Sequence, residues 1–588
     1  MQRLLITTAL EDTWRDDVPV VFLGEWCRRY SRTARWSKMD AEVVPYHWDD
    51  RAKFAADYQY LQGLFEQLLQ EIRVQLNQIH GVNHGLRFWR ILIGPWLGYF
   101  LQLLFDRWTS IQQAVSDCEL SGTIVLVGQE SSLVPNDMAD FNRLWVGDEW
   151  NTQLYGAILQ QFTSIPCILQ ARKSVEAASN PSAAPPSWKQ EIKRVVAVGL
   201  GRAGSLLARD RDAFFLHTYL PFRDELTLYR RMGQVPQLRR SVPAVREAID
   251  GEQRRWTVAG ESRSPFEVCA RALIPHQMPA VYLEGYRRLV EQAASLHWPK
   301  RPCVIWTSNA HSADDVFKVW AAEKVEQRTP LVIGQHGGVY GVARVSSAED
   351  HETAISDAFL TWGWRDPLRS NVTPVGQLKA QRPLGVCHAQ QPHALLVTLT
   401  VPRQSEPMSS SVGSRQWLDY FADQCAFVDH LPESVRRALI VRLYSYDFGW
   451  DQVARWTDRF PSLRLDHGGS KMIDLIRDSR IYIATYNGAT FLESFTMDVP
   501  TVVFWDPRRW ELRDSAVPFF DDLQRVGIFH DTPGSAARHV AAIWDDVDAW
   551  WTSAAVRDVL ARFKARYCDL PEDLVGRVEA ALRSVMAA

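Results

Sequence analysis

The chain has 588 residues, 46% hydrophobic and 23% charged, and 66 Lys and Arg against 69 Asp and Glu leave a formal net charge of −3. That length exceeds one ordinary core, which stops growing near ~250–300 residues, and the apolar content excludes a disordered chain. Near-neutrality excludes a protein built chiefly for nucleic acid, which needs a strong basic excess. The 24 Trp fit either a large core or a surface that stacks on sugar rings. Eight Cys without a Cys-x-x-Cys pair rule out a zinc ribbon or thioredoxin motif and predict buried thiols in a reducing, cytoplasmic compartment.

In chain order, Leu4–Thr8, Val20–Leu23 and Glu42–Tyr46 read as strands, the first of them in place of a signal peptide. Asp49-Asp50 then caps a helix running to about Ile79, with Tyr60, Leu61, Leu64, Leu68, Ile72 and Leu76 at helical spacing. The apolar run from Ile91 to Phe105 is 15 residues long, short of the ~20 that span a bilayer, and predicts a buried helix. Further strands are expected at Ile124–Val127, Val195–Val198, Ala213–Leu216, Val304–Trp306, Leu331–Ile333 and Ala358–Leu360. After a Pro, Gln and His-containing stretch at 381–392, which reads as a linker, the alternation restarts with Ala394–Leu399, Leu439–Leu443, Leu463–Leu465, Arg480–Ile483 and Thr501–Phe504. Strands alternating with helices predict parallel sheets of βαβ units. The expectation is therefore α/β: two Rossmann-like, doubly wound domains, 1–380 and 393–588, facing across a cleft at their strand carboxyl ends. The last helices are expected to pack back on the N-terminal domain.

Gly199-Leu-Gly201-Arg-Ala-Gly204 matches a dinucleotide fingerprint, but only Ser205 to Asp212 separate it from the next strand. A parallel crossover needs a dozen residues or more, so a glycine-rich loop is the better reading. Three other constellations end strands. Cys303–Trp306 runs into Asn309 and His311, and Leu331–Ile333 runs into Gln335, His336, Gly337 and Gly338, whose glycines would let backbone N–H groups approach an anion. In the second half, Tyr486-Asn487-Gly488-Ala489-Thr490 opens a helix carrying Glu493. Its amide groups suit phosphate and Glu493 suits ribose hydroxyls, although Thr490 and Glu493 also match a capping box. Arg403 and Arg442 at strand ends suit a diphosphate. In the first half, Glu25, His47 and His84 follow apolar segments and are candidate bases, while the adjacent Asp49 and Asp50 point apart; no metal site is expected. Trp26, Trp48, Trp89, Trp96, Trp306 and Trp505 lie beside these motifs and are expected to line the cleft, with Trp320, Trp456 and Trp544 in the core.

The segment Ser479–Pro507 resembles the donor-binding half of GT-B glycosyltransferases, and Gln335-His-Gly-Gly338 is similar to Kdo-transferase-type enzymes. Thr7–Glu11, Phe22–Arg28, Val44–Arg51, Gly81–His84 and Trp89–Trp96 resemble one family over most of the chain: transferases of O-antigen and related surface-carbohydrate gene clusters. The resemblance implies a cytoplasmic, metal-independent glycosyltransferase, extending to the inner face of the membrane. It would move sugar from a nucleotide-sugar, a CMP-linked one among the candidates, to a lipopolysaccharide-type glycan or lipid-linked glycan acceptor, with no bound cofactor. Gln335, Gly337, Gly338, Arg403, Arg442, Asn487, Gly488, Thr490 and Glu493 would hold the donor. Glu25, His47, His84 and His336 are the catalytic candidates. A nucleotide-sugar epimerase of the same fold and a non-catalytic carbohydrate-binding or assembly protein remain as alternatives.

Overall fold

The computed structural model describes residues 2–128, 133–172, 209–237, 239–379, 383, 385 and 387–587. The expected strand Val195–Val198 and the glycine-rich loop at 199–204 lie outside them, as does part of the linker.

Three wholly parallel sheets organise the chain. The first contains β1 (Arg3–Ile6), β2 (Val20–Phe22), β3 (Ala41–Val43), β4 (Leu120–Val127) and β5 (Cys167–Ala171) in the order β3-β2-β1-β4-β5. The second contains β6 (Phe214–Leu216), β7 (Ile305–Thr307), β8 (Leu331–Gly334), β9 (Ala358–Thr361) and β10 (Val372–Pro374), neighbours in sequence order. The third contains β11 (His393–Val397), β12 (Leu439–Arg442), β13 (Arg464–Asp466), β14 (Ser479–Ala484), β15 (Thr501–Phe504) and β16 (Phe529–His530), ordered β13-β12-β11-β14-β15-β16. The first and third sheets reverse strand order between their first and fourth strands, the topological switch point where α/β proteins open a crevice. The α/β, doubly wound class is as expected. The finer division differs, because residues before the linker carry two sheets instead of one, and the described strands of the second run in sequence order without such a reversal.

Sequence and packing agree most closely in the helices between β3 and β4. Helix α1 (Arg51–His80) starts where the Asp50 carboxylate accepts the Ala52 and Lys53 amides at 2.9 and 3.0 Å, and stops at Gly81, whose φ of +66° suits a residue without Cβ. Its buried face includes Tyr58, Leu61, Phe65, Leu68, Ile72 and Leu76. Helix α2 (Leu86–Asp117) is longer than the apolar run at its centre. It is long and apolar enough to cross a membrane, yet 83% of its most apolar window is buried inside this fold, against α1 and α4 (Asp315–Glu326). Helix α3 (Asp148–Phe162) covers β4, α5 (Ser347–Ile355) packs on both the second sheet and α2, and α6 (Gln416–His430) follows β11 in the third unit.

The sheets meet at their carboxyl edges. Beyond β8, Ala343 and Ser346 form isolated bridges with Leu512 and Ser409 of the third unit. The chain then returns: α8 (Ala554–Tyr567) leads into α9 (Leu574–Ala587), which packs on the second sheet. The Gln377 amide donates to Asp569 and the Asp569 amide to Trp362, at 2.8 and 2.9 Å. A Cβ at Gly363 would lie 2.8 Å from the Ala565 carbonyl, so glycine permits this close return.

The tryptophans are corrected by the fold. Trp26, Trp48, Trp89, Trp96, Trp306 and Trp505, expected beside the cleft, are all buried. Trp320 and Trp456 are core as expected, whereas Trp544 is only partly buried.

Candidate active site

Residues after β6, β7 and β8 converge on the N-terminus of α7 (Ala489–Thr496), which follows β14. The turn after β6 is strained: His217 and Tyr219 adopt φ of +54° and +64°, a region that costs about 1 kcal/mol or more for a residue with a Cβ. Neighbouring groups brace it. The Ser308 amide donates to the His217 carbonyl and the Ser308 hydroxyl to the Thr218 carbonyl, both at 3.0 Å. Asn309 faces His217 Nδ1 at 3.0 Å and donates to the Tyr219 hydroxyl at 2.8 Å. Lys379 Nζ lies 4.1 Å over the Tyr219 ring.

His336 follows β8 in this cluster. Its ring lies 3.2 Å from the Tyr340 hydroxyl, which donates to Glu352 at 2.8 Å, and its Nδ1 is 3.7 Å from the other Glu352 oxygen. Burial pushes His336 below the ordinary histidine range, partly offset by the Glu352 charge, so the ring is neutral at pH 7. The His311 Nε2 approaches Glu352 at 3.2 Å. A Cβ on Gly338 would collide with the Gly488 carbonyl and the Ala489 amide, so this glycine lets the loop touch the start of α7. Beyond that contact, Asn487 is buried with its side-chain oxygen unpartnered. Glu493 is raised by burial, with Lys379 opposing the rise. Tyr444 and Tyr446, exposed beyond β12, pack with Phe448 as an aromatic shelf.

Of the expected residues, His336, Gly337, Gly338, Asn487, Gly488, Thr490 and Glu493 are brought together. Thr490 and Glu493 do not form a capping box: Gly488 is the N-cap, with no side-chain bond, and the Thr490 hydroxyl lies 3.4 Å from that of Tyr486. Gln335 is beside the site but committed to structure. Its oxygen accepts from the Trp362 amide and the Trp364 indole at 3.0 and 2.9 Å, and its nitrogen donates to Gly337.

The other assignments are corrected. Arg403 crosses to the first sheet, donating to the Trp26 carbonyl and pairing with Asp148 at 2.5 Å. Arg442 is held by Asp466 and the Gly468 carbonyl. Glu25 pairs with Arg28. His47 is buried against Asp106 at 3.0 Å, and His84 pairs with Glu326 while stacking on Phe88, away from α7. Asp49 and Asp50 do diverge: Asp50 caps α1, and Asp49 bonds Arg415 and Arg509. The site cation is Lys379, which with Tyr219 and Glu352 was missed. A strand ending in His217-Thr218-Tyr219 carried the same strand-end signal used elsewhere; nothing local marks Lys379.

A family model for LIC12162 family transferases matches residues 3–579. The chain belongs to this transferase family. No curated protein matches it in sequence. Among solved structures, the wall teichoic acid polymerase TagF aligns at 8% identity over 68% of this chain and 96% of its own, with a TM-score of 0.30. WaaG, a glycosyltransferase involved in lipopolysaccharide biosynthesis, aligns at 14% identity over 63% and 99%, with a TM-score of 0.28. At such scores the likeness carries no weight; the fold rests on the strand orders above.

Proposed function

We propose that this transferase moves a glycosyl group from a nucleotide-sugar to a hydroxyl of a surface-glycan or lipid-linked glycan acceptor, at the junction of the second and third sheets. One observation carries the reading. His336, Lys379 and the amino end of α7 converge where two strand edges meet. Helix N-termini and a nearby cation stabilise phosphate. In this reading the departing phosphate of the nucleotide lies between Lys379 and α7, Glu493 accepts from ribose hydroxyls, and the base rests on Tyr444 and Tyr446. A CMP-linked sugar is among the donors to try.

Transfer requires a proton to leave the acceptor hydroxyl as negative charge develops on the phosphate. Neutral His336 is available to accept that proton, with Glu352 stabilising the imidazolium that forms, and Lys379 meets the phosphate charge. Because side chains and backbone dipoles carry both tasks, the proposal is metal-independent. It also places the protein in the cytoplasm, with an acceptor reached at the inner membrane face.

Thermal shift against UDP-, GDP-, dTDP- and CMP-sugars tests the donor half. A nucleotide-sugar at 100 times its Kd should stabilise the fold by about 2.7 kcal/mol. A shift that is lost in Lys379→Ala supports the proposal. Unchanged melting with all four classes overturns it.

A further inference from the structure

Behind the His336–Tyr340 pair lies a cavity of about 70 Å³, open to solvent and lined in part by Glu352 and His311. Helices α1 and α2 form one wall and α5 the other. The apolar lining is Leu61, Phe65, Pro95 and Tyr99, with Gly94 and Gly98 between them. The glycines make the space: a Cβ at Gly94 would lie 2.7 Å from the His351 ring, and one at Gly98 would reach only Phe65, at 3.8 Å.

The floor is polar and unsatisfied. His311 is 1% exposed and lines the cavity, yet neither ring nitrogen completes a hydrogen bond, although Nε2 faces Glu352. One oxygen of Glu352, itself 3% exposed, and Nε2 of His351 also lack partners. Buried polar atoms are normally paired, and leaving several unpaired in one place is costly. The charges at the rim are already paired: Arg90 with Glu66, and Asp350 with Arg369 and Tyr58. No free cation in the lining invites a phosphate or carboxylate. Aromatic and proline faces above clustered unpartnered donors and acceptors suit a ring that has both an apolar face and hydroxyls.

We propose that this cavity binds a neutral saccharide unit of the acceptor, its apolar face on Phe65 and Tyr99 and its hydroxyls on His311, His351 and Glu352. The assignment of that sugar to the acceptor rests on the glycosyltransferase reading, whereas the binding itself does not. Glu352 is shared by both sites: one oxygen approaches His336 at 3.7 Å and the other approaches His311 at 3.2 Å. A hydroxyl bound at Glu352 therefore lies beside the residue proposed to accept its proton.

Saturation-transfer NMR with methyl glycosides of the common neutral hexoses, on the full chain, tests this directly. At least one glycoside should bind to wild type and to Gly98→Ala, which keeps the space open, and should bind at least tenfold more weakly to Gly98→Leu, which fills it. Should Gly98→Leu fail to fold, Ala348→Leu fills the cavity from the α5 wall and is expected to act alike. Equal binding to the open and filled variants overturns the assignment, as does absence of binding to wild type. Thermal shift with nucleotide-sugars on the same samples separates the two ideas. Glycoside binding lost on filling, without any nucleotide-sugar shift, supports the pocket and rejects the donor reading. A nucleotide-sugar shift without glycoside binding does the reverse.

Discussion

The third sheet meets both of the others, and the two seams hold different groups. Where it meets the first sheet, charged side chains pair across the seam, although Asp148, His47 and Arg107 each keep one buried atom without a partner. Asp148 takes Arg403 and Arg29 at 2.5 and 2.8 Å, Asp106 takes His47 and Ser405 at 3.0 and 2.6 Å, and Arg107 reaches Asn151, Asp106 and the Ser405 carbonyl. Where it meets the second sheet, His311, Asn487 and one Glu352 oxygen are buried without completed partners. The ion pairs of the first seam fix the position of one lobe against another. The unpartnered groups of the second lie in and behind the cluster around His336 and the start of α7, where a ligand can use them.

The largest effect is expected from His336→Ala. If the second seam is the reactive one, turnover should fall roughly 10²–10⁴-fold, the range for losing a general base, while thermal melting stays unchanged. Unaltered turnover in a glycosyl-transfer assay would remove His336 from the chemistry. Because burial holds the ring below its ordinary value of 6.5, the acid limb of kcat/KM in wild type should fall below that pH.

The seam with the first sheet should respond in stability instead. Asp148→Ala strands Arg403 among buried groups, and removing one partner of a buried pair costs about 3–5 kcal/mol. Urea unfolding should show that loss; a change under 1 kcal/mol would mean that the seam does not depend on its ion pairs.

Glu406 lies beside Tyr46 and Ser405 in the same seam. Burial raises its carboxyl from 4.5 to about 7. The folded state then keeps a proton that the unfolded chain releases, so this group's contribution declines as pH rises from about 4.5 through 7. Glu406→Gln removes that dependence and should be more stable than wild type by about 2–3 kcal/mol at pH 8, with little difference at pH 4. Denaturant melts at the two pH values decide it, and an equal difference at both would refute the assignment.

The smallest effect is expected at Glu493. Replacing it with Gln leaves α7 intact and an oxygen that still accepts, so only the charge assistance, about 1 kcal/mol, is lost and nucleotide-sugar binding should weaken about five- to tenfold. Calorimetry giving an unchanged Kd would take Glu493 off the ribose.

Much of the molecule was legible in the sequence. Apolar runs such as Leu331–Ile333 and Thr501–Phe504 announce buried parallel strands because both faces of such a strand are covered, and observed β8 and β15 fall on them. Asp50 announces its helix because a carboxylate satisfies free amides at a helix start. β5, β10 and β16 were missed: β10 is three residues long, β16 two, and β5 has exposed apolar side chains. The cluster from Asn309 to Gly338 was visible as polar residues ending apolar strands, and so was Asn487–Glu493.

What only the tertiary structure decided is which polar side chains are already used. Arg403 and Lys379 are both cations near strand ends, but Asp148 lies on a helix 255 residues earlier in the chain and takes the arginine, leaving the lysine at the junction. Likewise Trp306, within β7, and Trp505, just after β15, are next to site motifs in sequence but buried, because both faces of these parallel strands are covered. Sequence determines which residues end strands and start helices, since those are local choices of backbone and burial. Whether a charged or aromatic group there binds a ligand or a neighbour depends on partners hundreds of residues away, and the packing of three sheets alone sets that.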